Sequence, residues 1–143
     1  MDRAEKALEL RSKMYNCCQA VVCTFADVAG VEEQALFRIA EGFGSGMGGR
    51  QCVCGAVAGA VMVSGLLKSS GKAGDIDSLL KSLERSRQLT EGFEQKNTSL
   101  VCKDLKVADA EKSYAICNGY VVEAVKLVEE IILNNEKEGV ENV

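Results

Sequence analysis

The sequence contains no histidine, no tryptophan and no proline, and aromatic residues make up only 5% of its 143 positions. Without histidine the chain cannot form a Ser-His or Cys-His nucleophile pair, and it lacks the usual general base near neutral pH. Only carboxylates and lysines remain for acid-base catalysis, and none of them forms a recognisable pair. Whether the protein is an enzyme therefore stays open, and an electron carrier or redox protein is favoured over an enzyme with an organic substrate.

Two further absences bear on partners and location. The 17 basic residues are scattered singly and the net charge is -4, so the chain has no basic stripe for a nucleic acid. The N-terminus is charged and lacks a signal-peptide core. The longest apolar stretch, Cys52 to Leu67, is interrupted by glycines and falls short of the roughly 20 residues that span a bilayer. We therefore expect a cytoplasmic protein without membrane insertion.

The absence of proline, together with long segments of Ala, Leu, Glu, Lys and Val, predicts an all-α fold. We expect a compact, irregular bundle of about five helices in a single domain, residues 1–136, followed by a frayed tail, residues 137–143. The helices are predicted at about Arg3 to Val28, Glu32 to Glu41, Gln51 to Lys68, Asp75 to beyond Phe93, and Asp109 to Asn135. Apolar spacing directs Ile76, Leu79, Leu80, Leu83, Leu89 and Phe93 of the fourth helix inward.

The third predicted helix is apolar nearly all round, which places it at the centre of the fold as the most buried helix. Gly55 and Gly59 recur four positions apart and let another helix approach closely. Because such a helix needs cover on all sides and aromatic side chains are few, we also expect a homodimer that completes the core.

Cysteine is abundant where other reactive residues are missing. Seven cysteines in a cytosolic chain exceed what a core ordinarily uses, and a reducing compartment argues against a permanent disulfide framework. Thiolate redox chemistry or metal binding explains the set better than seven inert core thiols, although any one of them, Cys23 for example, can be a core thiol. The cysteines are Cys17, Cys18, Cys23, Cys52, Cys54, Cys102 and Cys117.

A glycine-rich loop, residues 42–49, precedes the third helix. Cys52 and Cys54 stand at the start of that helix, where free N–H groups and the nearby Arg50 favour a thiolate, so one of them is expected to be the most reactive thiol. The loop glycines could direct further N–H groups at a cluster sulfide, a thiolate or an anion, or form a plain loop. These candidate cofactor-binding residues are Gly44, Gly46, Gly48 and Gly49. The lysine of a Walker-type phosphate loop is missing.

Taken in order, these segments resemble a known family. The residues are Asn16-Cys17-Cys18-Gln19, then the glycine loop, then Cys54-Gly55-Ala56-Val57-Ala58-Gly59, then Cys102 and Cys117. They resemble the redox-active C_GCAxxG_C_C family, whose central motif is Cys-Gly-Ala-x-x-Gly, over nearly the whole chain. The resemblance implies that the four family cysteines are Cys17, Cys54, Cys102 and Cys117. Cys18, Cys23 and Cys52 are additional, and Cys52 is the first candidate to replace a family cysteine.

Several functions agree with this set of cysteines. Four thiolates from separate segments suit a two-iron or four-iron cluster, for electron transfer or redox sensing. In a dithiol mechanism, Cys54 would attack an oxidised partner and Cys17, Cys52 or another thiol would resolve the mixed disulfide. A structural zinc site and a non-catalytic helical interaction module agree with it as well. Covalent haem is excluded because the chain has no Cys-x-x-Cys-His motif. We expect the chain to act with a redox partner protein.

Overall fold

The computed structural model describes residues 1–106 and 110–134. Within them the chain forms eight α-helices and no named β-strand, which confirms the all-α class. None of the described helices is long and apolar enough to cross a membrane. The predicted tail and the predicted ends of the last helix, Asp109 and Asn135, lie outside the described residues. The helices are α1 (Arg3–Ser12), α2 (Cys17–Thr24), α3 (Ala26–Ala29), α4 (Glu33–Ala40), α5 (Gly55–Lys68), α6 (Ile76–Asn97), α7 (Cys102–Leu105) and α8 (Ala110–Leu127), which a π-helical segment, Val128–Leu133, continues.

The prediction of one long first helix, Arg3 to Val28, is wrong, because the structure divides this segment into α1, α2 and α3. Met14, after α1, has left-handed backbone geometry with φ 74°. A capping box then starts α2: Asn16 Oδ1 accepts from Gln19 N–H, and Gln19 Oε1 accepts from Asn16 N–H, both at 2.9 Å. The break lets α1 pack against α2. Gly30, with φ 66°, ends α3.

The most buried helix is α2 rather than the predicted third helix. All eight residues of α2 are buried, whereas seven of the fourteen residues of α5 are. α2 packs against α1, α4, α5 and α8 and so is enclosed on several sides. The expected close approach at small residues is confirmed, because a Cβ on Gly59 would lie 3.0 Å from Val21 Cβ and 3.1 Å from the Cys18 carbonyl oxygen.

α5 begins at Gly55 and not at Gln51, because the residues before it pair with another segment. Val53 forms an isolated antiparallel bridge with Val101. Cys54 N–H donates to the Leu100 carbonyl oxygen at 2.7 Å, and Cys102 N–H donates to the Cys52 carbonyl oxygen at 2.9 Å. This pairing holds the start of α7 beside the start of α5.

α6 follows the predicted helix, but only half of its apolar face is covered. Leu89 and Phe93 are buried as predicted, and this half packs against α8, where a Cβ on Gly92 would lie 3.1 Å from Leu127. The inward prediction is wrong for the first half, because no described element covers those side chains. Ile76, Leu79, Leu80 and Leu83 are between 51% and 60% exposed.

Candidate thiol site

Four cysteines from four separate helices line one small cavity. Cys17 is the first residue of α2, Cys54 caps α5, Cys102 is the first residue of α7, and Cys117 lies in α8. Gly55, Leu105, Lys106 and Tyr120 complete the lining of this cavity, which measures about 10 Å³. A space of this size is comparable to one water-sized probe, so the thiols are close neighbours. The structure thus brings together the four cysteines that the family resemblance singled out.

The Asn16 side chain positions the first of these thiols. Its capping box starts α2 at Cys17, and its Nδ2 donates to the carbonyl oxygen of Glu41 at 2.8 Å. Gly44 lies against the same side chain, because a Cβ on Gly44 would lie 2.5 Å from Asn16 Nδ2. The start of α2 is therefore tied to the start of the glycine loop.

Two glycines leave the space that the thiols occupy. A Cβ on Gly55 would overlap the sulfur of Cys17, and a Cβ on Gly46 would lie 2.6 Å from Cys102 Cβ. Gly48 and Gly49 face open space, since a Cβ on either would meet no described atom within 4 Å. Of the four candidate glycines, only Gly46 contacts a cavity cysteine, and Gly44 acts on Asn16.

The three additional cysteines do not line the cavity. Cys18 is buried on another side of α2, with its sulfur 3.7 Å from Met62 Sδ. Cys23 is also buried, 3.8 Å from the Glu33 carbonyl oxygen, as expected for a core thiol. Cys52, the expected substitute, is exposed. All seven cysteines lie among the described residues and all are free thiols.

The pKa of the Cys54 thiol is raised, contrary to the expectation that the helix N-terminus favours a thiolate. The expected N–H donors are present, since the backbone groups of Ala56 and Val57 lower the pKa of this thiol. Burial outweighs them, and the neighbouring Cys17 adds to it, so the pKa of Cys54 rises to about 12. A thiol with this pKa is almost entirely protonated near neutral pH and is a poor nucleophile in this state.

Cationic side chains surround two more of the thiols. Burial raises the pKa of both Cys102 and Cys117, while Lys106 opposes the rise at each of them. Arg50 acts in the same direction on Cys102, and Arg11 does so on Cys117. Three cationic side chains, Lys106, Arg50 and Arg11, therefore act on the thiols of Cys102 and Cys117.

Sequence reasoning missed Lys106 and Tyr120 as parts of the site. Lys106 follows Cys102 by four residues at the end of α7, and Tyr120 follows Cys117 by three residues in α8. Such spacings bring side chains to one face of a helix, and this was the signal available in the sequence. The Tyr120 hydroxyl donates to the Leu105 carbonyl oxygen at 3.0 Å and thereby joins α7 to α8.

Comparisons with known proteins bear on this site. A family model described as "Putative redox-active protein (C_GCAxxG_C_C)" matches residues 15–131, which include all four cavity cysteines. No curated protein and no solved structure was found to match the chain. Within the part of the chain that the structure describes, no group of three or more His, Cys, Asp or Glu side chains is arranged to hold a single metal ion.

Proposed function

Since the chain belongs to the C_GCAxxG_C_C family, we propose that it is a cysteine-based redox protein that binds an iron-sulfur cluster for electron transfer or redox sensing. The proposed ligands are Cys17, Cys54, Cys102 and Cys117. The observation that carries the proposal is that these four thiols, from four helices, line a single cavity. Either a two-iron or a four-iron cluster takes four cysteine thiolates.

The residues around the thiols fit such a group in chemistry. Sulfur donors are the ligands that iron-sulfur clusters select, and the described residues that line the cavity include no carboxylate or imidazole. Gly55 and Gly46 carry no side chain where one would displace Cys17 or Cys102. When bound, a cluster supplies one-electron transfer. The cavity measures about 10 Å³, which is too small for a cluster, so binding requires its lining residues to move apart.

Three cationic side chains and two backbone N–H groups would offset the charge of the bound thiolates. Four thiolates concentrate negative charge, and Lys106, Arg50 and Arg11 lie near enough to lower the pKa of the cavity thiols. Backbone N–H groups of Ala56 and Val57 favour the thiolate of Cys54. Hydrogen bonds to cluster sulfurs and nearby charges set the reduction potential. These residues are therefore the ones expected to tune it.

The dithiol and zinc alternatives use the same thiols. A dithiol mechanism uses two thiols and leaves the other two cavity cysteines without a function. A zinc site would bind the four thiolates for stability alone and gives the glycine-rich loop no function. A non-catalytic interaction module leaves the convergence of the four family cysteines without a function. The cluster is accordingly the favoured proposal.

The proposal extends to location and partners. Free thiols are maintained in the reducing cytoplasm, and an unidentified redox protein would exchange electrons with the site.

The proposal also includes the expected homodimer, with its interface at the exposed apolar stripe of α6 and not at α5. The stripe residues, 76, 79, 80 and 83, have the same spacing read from either end, so a twofold axis would place the stripe against its copy. The charged residues Asp77 and Lys81 of the same helix pair with each other at 3.0 Å, so their charges offset one another beside the stripe.

Anaerobic reconstitution tests the cluster assignment. We expect the reconstituted chain to contain iron and acid-labile sulfide and to absorb in the visible range. Cys54→Ala should abolish these signals together, whereas the matched control Cys23→Ala, also at a buried thiol, should keep them. Zinc analysis of the same samples distinguishes the alternative metal. A colourless, iron-free parent protein after reconstitution without oxygen would contradict the cluster assignment and favour the dithiol function.

A further inference from the structure

The register of the short pairing between residues 52–54 and 100–102 places two cysteines opposite each other. Val53 and Val101 form the antiparallel bridge. Cys54 is thus opposite Leu100, and Cys52 is opposite Cys102, to which it is joined by the hydrogen bond from Cys102 N–H to the Cys52 carbonyl oxygen at 2.9 Å. Of the two thiols before α5, only Cys52 therefore has a cysteine as its cross-strand neighbour.

This backbone hydrogen bond brings the two cysteines within the Cα separation that a direct disulfide needs. Directly opposite residues at hydrogen-bonded positions of an antiparallel pair have Cα atoms roughly 5.5 Å apart. Disulfides form when the Cα atoms are about 4.4 to 6.8 Å apart. Gly46 leaves the adjoining space free, because a Cβ on it would lie 2.9 Å from the Cys52 carbonyl oxygen and 2.6 Å from Cys102 Cβ.

The thiols of Cys52 and Cys102 also differ in their exposure to solvent. Cys52 is exposed, whereas Cys102 is buried and lines the cavity. An exposed thiol can react with a soluble disulfide, and a buried neighbour can then resolve the product. The pair thus has one thiol that meets an oxidant and one that belongs to the proposed cluster site.

We propose that Cys52 and Cys102 form a reversible disulfide by exchange with a small-molecule disulfide. The Cys52 thiolate attacks one sulfur of the small disulfide, forms a mixed disulfide and releases the first small thiolate. The Cys102 thiolate then attacks the Cys52 sulfur, forms the Cys52–Cys102 bond and releases the second. Two protein thiols are oxidised, the small disulfide is reduced to two thiols, and these take up the two protons.

The consequence for the cavity rests on the proposed function. A sulfur in a disulfide cannot serve as a thiolate ligand, so oxidation would remove Cys102 from the ligand set. Cys52, which is additional to the family motif, would thereby make cluster retention sensitive to the thiol–disulfide balance. Disulfide formation itself does not depend on any cluster.

Oxidised glutathione and the metal-free, reduced full chain test the disulfide. After alkylation of free thiols and digestion with trypsin, Cys52 and Cys54 lie in peptide 51–68 and Cys102 lies in peptide 97–103. We expect these two peptides to be joined, with fragmentation that assigns the link to Cys52, and dithiothreitol to separate them. Cys52→Ser, at an exposed position, should lose the joined species while keeping the parental melting temperature.

Three outcomes would overturn the proposal: a link through Cys54, glutathione retained on Cys52 beside a free Cys102, or no reaction of Cys52. Because this measurement uses metal-free protein, it does not depend on the cluster assignment. If the reconstituted parent binds iron, oxidised glutathione should bleach it faster than it bleaches Cys52→Ser. Equal bleaching of the two proteins would refute the effect on the site and leave the cluster assignment intact.

Discussion

Gly55→Ala tests whether the cavity depends on a missing side chain. The new Cβ would overlap the Cys17 sulfur and would lie 3.1 Å from the Phe43 carbonyl oxygen and 3.3 Å from the Cys18 nitrogen. The two backbone distances are tight but require shifts of only a few tenths of an ångström. The overlap with sulfur can be relieved only if the Cys17 side chain turns away or α2 and α5 separate.

The expected loss of stability is moderate. Overpacking by one methyl group costs about 1 to 3 kcal/mol, which for a chain of this size lowers Tm by about 3 to 10 °C. The effect on the site should be larger than the effect on the fold. If the Cys17 side chain turns away, the cavity loses one of four thiols, and iron should be absent from the reconstituted variant.

Gly65→Ala is the matched control in the same helix. A Cβ on Gly65 meets no described atom within 4 Å, and alanine inside a helix is favoured over glycine by up to about 1 kcal/mol. We expect this control to melt at or slightly above the parental temperature and to retain its iron. Thermal unfolding followed by circular dichroism, with iron and sulfide analysis, measures both effects. A Gly55→Ala protein with parental Tm and iron content would refute the packing argument.

Two further predictions concern packing and assembly. Gly59→Leu should destabilise the fold by about 1 to 3 kcal/mol or more, because even a Cβ there lies 3.0 Å from Val21. Gly119→Leu, where a Cβ meets open space, is the control, and equal melting of the two variants would disprove close packing of α5 on α2. Sedimentation should show a dimeric parent and a monomeric Leu80→Glu variant, while Ile39→Glu, equally exposed on α4, stays dimeric. A monomeric parent at high micromolar concentration would end the dimer proposal.

The sequence was sufficient for the class of fold, and the family resemblance named the four cysteines that line the cavity. Helix-forming composition without proline predicts an all-α chain, and most segments identified by apolar spacing are helical in the structure. The break at Met14 and Asn16 was missed because apolar spacing continues across it. The capping box formed by Asn16 and Gln19 was the signal in the sequence that contradicted a continuous helix.

Four apolar side chains in the first half of α6 show that helical spacing does not by itself predict burial. Apolar side chains at positions 76, 79, 80 and 83 have the same spacing as a buried face, yet they are exposed. Helical periodicity indicates which side chains share a face. It does not indicate whether another element covers that face. In the structure α6 packs against its neighbour α5 and also against α8, which lies further along the chain.

The sequence by itself determined the chemistry that is possible: the absence of histidine left sulfur as the main reactive group, and the family motif selected four of seven thiols. Only the tertiary structure decided which thiols meet. Cys17 and Cys18 are adjacent in sequence, but successive residues of a helix point about 100° apart, so Cys17 lines the cavity and Cys18 contacts Met62. Likewise, Cys52 and Cys54 are only two residues apart, but Cys54 is buried and lines the cavity, whereas Cys52 is exposed. The contacts among the cavity cysteines join segments that are distant in sequence, and local sequence patterns do not predict such contacts.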